Sequence, residues 1–374
     1  MRIGIDGRAL TGRFTGDRTY WLNLLRALLS DPVCAREHEF FVYSRLPIAP
    51  GTLPGCPNVT IRTVPASNNR LWTLRAFPRA LCDDRIELAH TQYTTPLRAP
   101  CPVVTTVHDI SFRLYPEWFP RKHRVLLNLT VPAAMRRAVR VITDSGSSRR
   151  DILRVYRLPD EKVEAIPLAA APEFHPIPQE TARQIVKDRF RISSPFALSV
   201  GVLQPRKNIS LLIEAFALAR HQCTIDQALV LTGKRGWGFE GLTRQAARLK
   251  VSDYILFTDY VPDEDLPVLY SAADAVAYPS LYEGFGLPPV EAMACGAPTL
   301  VSDRPCMPET VGHGAWILPA LDAVPWGEAM ARLSMEPELR EHWSRRGIAR
   351  AGELSWTQTA RRTLGVYLKA METV

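Results

Sequence analysis

Short apolar runs that close on a small or polar residue recur along the chain and alternate with segments of helical spacing. Ile3 to Asp6, Val103 to His108, Val141 to Asp144, Ala197 to Gly201, Ala228 to Gly233, Ile255 to Phe257, Ala275 to Tyr278 and Thr299 to Ser302 are such runs. An unbroken apolar run is buried on both faces, the condition of a strand inside a parallel sheet. Between the runs, Tyr20, Trp21, Leu24, Leu25, Leu28 and Leu29 follow helical spacing, as do Leu211, Leu212, Ala215, Phe216 and Ala219. Strands alternating with helices give α/β units joined by right-handed crossovers.

At 374 residues the chain exceeds one core of ordinary size. The proline-dense stretch Pro167 to Pro178 breaks the pattern, which restarts at Phe196. We therefore expect two Rossmann-like parallel-sheet domains, residues 1–185 and 186–355, facing a central cleft. Residues 356–374 read as an amphipathic helix that packs back on the first domain. Open α/β sheets bind ligands beyond the carboxyl ends of their strands, which makes the cleft the expected site.

Composition excludes several classes. With 46% hydrophobic and 22% charged residues, wholesale disorder and collagen-like repeats are ruled out. No apolar run reaches the roughly 18 residues a membrane span needs, and the N-terminus reads as strand and turn rather than as a secretion signal. The 7 cysteines form no CxxC pair, so we expect reduced, mostly buried thiols in a cytoplasmic protein, with no structural zinc. Charge is uneven: residues 1–185 hold 26 Lys and Arg against 17 Asp and Glu, and residues 186–374 hold 20 against 21. The first half is thus expected to meet something anionic, such as a phosphate or a lipid surface. An Arg-rich genome explains Arg over Lys but not the asymmetry. No aromatic-basic string or zinc-finger spacing is present, so nucleic acid is not expected.

Four stretches carry candidate chemistry. In Tyr282-Glu283-Gly284-Phe285-Gly286-Leu287-Pro288-Pro289-Val290-Glu291, the glycines let a ligand approach the backbone, and the following helix points free N–H groups at the loop. Two carboxylates there suit hydroxyls better than phosphate; alternatively Glu291 is a solvated residue near a helix N-terminus. Arg206-Lys207 follows a strand and a turn, where paired cations can neutralise a diphosphate as its charge develops, or stand as a surface pair. His108-Asp109 ends the run Val103 to Val107; His108 is either a satisfied core or capping residue or a group facing the cleft. The loop from Thr11 to Tyr20 places Gly16 before a helix, again suggesting a phosphate or acceptor contact. A fifth stretch, Arg121-Lys122-His123-Arg124 with Leu126, Leu127, Leu129, Val131, Arg136, Arg137 and Arg140, reads as a core helix with solvated ends or as a face that docks on an anionic bilayer.

The Glu283 to Glu291 block, together with Gly201-Val202-Leu203-Gln204-Pro205-Arg206-Lys207-Asn208, Gly233-Lys234-Arg235-Gly236-Trp237 and Asp259 to Leu266, resembles the family 4 glycosyltransferases of GT-B fold and their E-x7-E motif. The likeness extends over nearly the whole chain and is densest in residues 196–312. It implies that Glu283 contacts the transferred sugar and that Glu291 holds the ribose hydroxyls. It further implies that Arg206 and Lys207 meet the diphosphate, with Gly16, Val261, Phe285, Gly286 and Leu287 also on the donor, and that His108 lies beside the anomeric region with Asp109 orienting it or acting structurally. Many relatives carry Arg directly after the first glycine, where this chain has Val202, and Gly-Ile-Gly-Arg-Tyr where this chain has Gly16-Asp17-Arg18-Thr19-Tyr20.

The resemblance implies a retaining transfer, without metal or other cofactor, of a hexosyl group from a nucleotide diphosphate sugar. GDP-mannose or a UDP-hexose is the expected donor, and a saccharide or lipid-linked hydroxyl the acceptor. It leans toward mannosyltransferases of polysaccharide assembly, cytoplasmic and in peripheral contact with an anionic membrane. The alternatives are a nucleotide-sugar epimerase, a phosphorylase, or a non-catalytic nucleotide- or nucleic-acid-binding protein.

Overall fold

The computed structural model describes residues 1–12, 16–223 and 225–373. Arg13, Phe14 and Thr15 of the N-terminal loop lie outside the described residues. The chain divides into two compact units, the first made of Met1–Leu168 with Ser355–Val374 and the second of Ala169–Leu354.

The first unit is built on a parallel sheet of 7 strands: β1 (Arg2–Asp6), β2 (Glu39–Ser44), β3 (Val59–Thr63), β4 (Leu88–Gln92), β5 (Val103–Thr106), β6 (Arg140–Thr143) and β7 (Val163–Ala165). Their order across the sheet is β3-β2-β1-β4-β5-β6-β7. The second unit carries 6 parallel strands: β8 (Phe196–Val200), β9 (Ala228–Thr232), β10 (Ile255–Asp259), β11 (Ala275–Tyr278), β12 (Thr299–Ser302) and β13 (Trp316–Leu318). Their order is β10-β9-β8-β11-β12-β13. In both sheets the first strand lies inside and the order reverses beside it, the arrangement of doubly wound α/β sheets.

The helices follow from the spacing of their apolar residues. Helix α1 (Gly16–Ser30) buries Tyr20, Trp21, Leu24, Leu25, Leu28 and Leu29, the set expected from the sequence. The helix Trp356–Glu372 begins at Ser355, whose hydroxyl accepts from the Gln358 N–H at 3.1 Å. It buries Ala360, Leu364, Val366 and Tyr367 and packs against α1, completing the first unit.

Two expectations need correction. Residues 169–185 belong to the second unit, because the helix Gln179–Phe190 buries Ala182 and Val186 in the core formed with Leu198, Val230 and Leu269. The thiols are not mostly buried: Cys34, Cys295 and Cys306 are, whereas Cys82 and Cys223 are exposed and Cys56 and Cys101 lie between. The true division also sharpens the charge asymmetry. The first unit holds 28 Lys and Arg against 16 Asp and Glu, and the second 18 against 22.

Candidate active site

In the second unit, loops at the carboxyl ends of β8, β9 and β11 converge. After β8 the chain turns through Gly201, at φ +143°, into the short turn Pro205–Lys207. After β9 it turns through Gly233, also with positive φ, and a Cβ added there would stand 2.0 Å from the Gly201 carbonyl oxygen. Only glycine permits that approach. The loop after β11 is tied to the first: the Leu281 N–H donates to the Arg206 carbonyl at 2.9 Å, and the Ser280 hydroxyl oxygen lies 3.2 Å from the same oxygen.

These loops gather Arg206, Lys207, Tyr278, Ser280 and Glu283. Lys207 Nζ donates to Glu283 Oε1 at 2.7 Å and to the Tyr278 hydroxyl. Arg206 donates to Glu283 Oε2 at 2.7 Å and to the Tyr282 carbonyl at 3.1 Å. Ser280 adds a hydrogen bond of 2.5 Å to Glu283 Oε1. Burial alone would raise the Glu283 carboxyl, but Arg206 and Lys207 beside it, with hydrogen bonds from Lys207 and Ser280, hold it down at about 2. Burial pulls the Lys207 ammonium below its ordinary range although Glu283 opposes this.

Glu291 occupies a different environment on the helix Leu287–Ala294. It is buried, and its carboxylate meets the Tyr270 hydroxyl at 3.3 Å. Burial raises its carboxyl to about 7; the Tyr270 hydrogen bond opposes the shift, and Asp263 adds to it. Gly286 caps this helix at φ +93°, and Pro288 and Pro289 follow in its first turn. Of the four N–H groups that a helix start leaves unsatisfied, the prolines remove two, so Gly286 and Leu287 are the donors that remain. The Phe285 carbonyl is held by Thr310 Oγ1 at 2.7 Å and Cys306 Sγ at 3.3 Å, which fixes the loop from below. The Val261 side chain packs in the core with Leu266 and Tyr270.

In the first unit, His108 follows β5. The Val107 N–H donates to Ile142 and the Thr143 hydroxyl to the His108 carbonyl at 3.2 Å, which anchor the turn to β6. The His108 ring donates through Nδ1 to Asp144 Oδ2 at 2.6 Å. The Gln92 side-chain amide lies at Nε2, and Asp17 Oδ1 stands 3.8 Å from the same nitrogen. Burial lowers the ring, but Asp144 beside it, with Asp17 and Asp109, lifts it to about 9. Asp109 does not orient His108. It accepts from the Ser111 N–H at 2.8 Å and the Ser111 hydroxyl at 2.5 Å, and so caps the next turn. Gly16 opens α1, and a Cβ added there would meet nothing within 4 Å among the described residues.

Asp144 is the residue the sequence reading overlooked. The β5–β6 register pairs Thr106 with Ile142, so positions 108 and 144 leave their strands side by side. A strand-end acid two residues past an apolar run was the available signal. Among the described residues, no three His, Cys, Asp or Glu side chains are gathered as metal ligands, and no helix is long and apolar enough to cross a membrane.

The chain's similarities agree with this architecture. Residues 181–350 match the family model "Glycosyl transferases group 1", and residues 16–174 match "Glycosyltransferase Family 4". O-antigen chain mannosyltransferase B of Escherichia coli is 33% identical over 266 residues, covering 71% of this chain and 69% of that protein. O-antigen chain mannosyltransferase RfbU of Salmonella typhimurium is 28% identical over 341 residues, covering 87% and 88%. The structure of sucrose-phosphate synthase from Thermosynechococcus elongatus superposes with a TM-score of 0.77 at 20% identity, over 100% of both chains. With a GT-B fold and the Glu283–Glu291 block set on the second sheet, the chain belongs to the group 1, family 4 glycosyltransferases and resembles their mannosyltransferases.

Proposed function

We propose that the chain transfers a mannosyl group from GDP-mannose to a hydroxyl of a saccharide built on a lipid carrier, with retention of configuration and without a resident metal. The observation that carries this reading is the clamp on Glu283. Two cations and a hydroxyl keep it ionised at any physiological pH, which suits a carboxylate that accepts sugar hydroxyls and never releases a proton. The mannosyl choice rests on the two relatives, both mannosyltransferases by name.

The chemistry assigned to each group follows from its environment. An ammonium has three hydrogens; Lys207 directs two at Tyr278 and Glu283 and keeps the third for a phosphate oxygen. Arg206, Gly286 and Leu287 add positive potential where the leaving diphosphate gains charge. Glu291 accepts the ribose hydroxyls. In the transfer the bond from the anomeric carbon to the diphosphate oxygen breaks, and a bond to the acceptor oxygen forms on the same face. The acceptor proton passes to the departing phosphate.

The basic first unit is assigned to an anionic membrane surface through the helix Arg121–Arg137. There Val125, Leu126 and Leu129 are more than half exposed beside Arg121 and Lys122. Such a face buries apolar side chains among headgroups while its cations meet lipid phosphates.

Thermal stabilisation by a panel of GDP-, UDP-, dTDP- and ADP-sugars tests the donor, since a ligand that binds only the folded state raises stability with the logarithm of its concentration over Kd. GDP-mannose is expected to give the largest shift in the chain and none in Glu291→Ala. A larger shift with a UDP-hexose would replace the mannosyl reading. A change in the donor without acceptor would point to an epimerase, and a strict need for inorganic phosphate to a phosphorylase.

A further inference from the structure

The ring of His108 is more elaborately held than a sugar-contacting side chain requires. Asp144 takes its Nδ1 proton at 2.6 Å, and the carboxylate is almost fully buried, with 3% of its side chain exposed. The other oxygen of Asp144, Oδ1, is buried and accepts no hydrogen bond among the described residues. An unpaired buried oxygen is costly, so Asp144 is a poor packing element. Its position makes sense as a charge anchor, since a fixed carboxylate selects which imidazole nitrogen carries the proton and favours the charged ring.

The groups facing the ring from each neighbouring element agree. Asp17 of α1 stands 3.8 Å from Nε2 with half its side chain exposed. Asp109 adds negative charge from the same loop. Tyr20 of α1 and Tyr93, just past β4, present their rings edge-on, with centroids 4.8 and 5.6 Å away. His90 of β4 is held neutral by burial and by the charge on His108, its basicity falling to about 3. The Gln92 amide at Nε2 offers its oxygen to a protonated ring after a half-turn of the side chain.

We propose that Asp144 is a positioning residue for the transfer, fixing His108 as an imidazolium whose Nδ1–H belongs to Asp144 and whose Nε2–H, beside the Gln92 amide, is presented to the bound sugar. His108 then acts as a hydrogen-bond donor rather than as a base. The inference rests on the reading of His108 as a sugar-contacting residue, and its test separates the two.

Histidine-labelled protein is titrated by ¹H–¹⁵N NMR, with the His108 signal assigned by its loss in His108→Asn. Both nitrogens are expected to carry protons at pH 7.5. In Asp144→Asn the midpoint should fall toward the ordinary value of about 6.5. Transfer from GDP-mannose to methyl α-mannoside should drop about 100-fold at pH 8 and recover in part at pH 6, while the Kd for GDP stays unchanged. Asp17→Asn should move the midpoint less. An ordinary midpoint in the unmutated protein overturns the proposal even if Asp144→Asn fails to fold, as does an unmoved midpoint in a folded Asp144→Asn. Undiminished transfer by His108→Ala, with the titration as expected, overturns it through the reading of His108 instead.

Discussion

Lys207 and Glu283 form a buried ion pair of 2.7 Å, and Arg206 closes on the other carboxylate oxygen at the same distance. Stripping one partner from a buried pair leaves an uncompensated charge, usually at 3–5 kcal/mol. Because Arg206 remains, Lys207→Met should cost about 2–3 kcal/mol by urea denaturation at pH 7. Lys207→Met combined with Glu283→Gln should recover only part of that loss, because Arg206 then loses its carboxylate, and should remain inactive. Since the Glu283 carboxyl is held at about 2, its contribution is complete above the unfolded value of 4.5 and is lost as pH falls from there toward 2. Glu283→Gln should flatten the acid limb of the stability curve over that interval.

Glu291 has the opposite sign. Its folded carboxyl sits at about 7 against 4.5 unfolded, so between those values the native state binds the proton and the unfolded state does not. Stability therefore declines as pH rises from 4.5 to 7 and is level beyond, by about 3 kcal/mol in total. Glu291→Gln should remove the decline. If ionised Glu291 accepts the ribose hydroxyls, GDP affinity should rise between pH 6 and 8 in the unmutated chain and stay flat in the variant. Calorimetry at three pH values decides it.

Gly233→Ala places a methyl group against a backbone oxygen that cannot retreat without moving the Gly201 turn. Backbone strain of this kind costs on the order of 1–3 kcal/mol. Because Gly201 also lies under the Lys207 side chain, with an added Cβ 3.4 Å from its Cε, the displacement should weaken diphosphate binding as well as lower Tm. Titration with GDP against GMP should show the loss confined to the diphosphate.

In the first unit, His90 Nδ1 meets the Tyr367 hydroxyl at 2.7 Å and His90 Nε2 meets Thr106 at 2.8 Å. Tyr367→Phe leaves a buried ring nitrogen unpaired, at about 1–3 kcal/mol. Hydrogen exchange should show the β4 and β5 amides opening more easily while those of β8 and β11 keep their protection.

The strands that could be read from sequence are those with an apolar run closing on a small or polar residue, β5 with its two threonines included, although β2 carries Phe40 to Tyr43 and is missing from that set. β4 went unread because Leu88-Ala89-His90-Thr91-Gln92 looks half polar, yet His90 and Thr91 are buried with their partners in Tyr367, Thr106 and Thr105. β3 is an edge strand with mostly exposed side chains and carries no apolar run, while β7 and β13 are three-residue edges. In the site, Glu283 and Lys207 were legible because a glycine loop and a strand-end cation pair mark themselves locally. That they bind each other across 76 residues was not, and neither was the Asp144 contact, which depends on strand adjacency alone.

The last helix belongs to the first sheet although the whole second unit precedes it in the chain. During synthesis the second unit is therefore finished while the first still lacks the surface that Val366 and Tyr367 cover. The nascent N-terminal half must wait, incompletely sealed, until residues 356–372 leave the ribosome, so a chain cut short before them harms the first unit hardest.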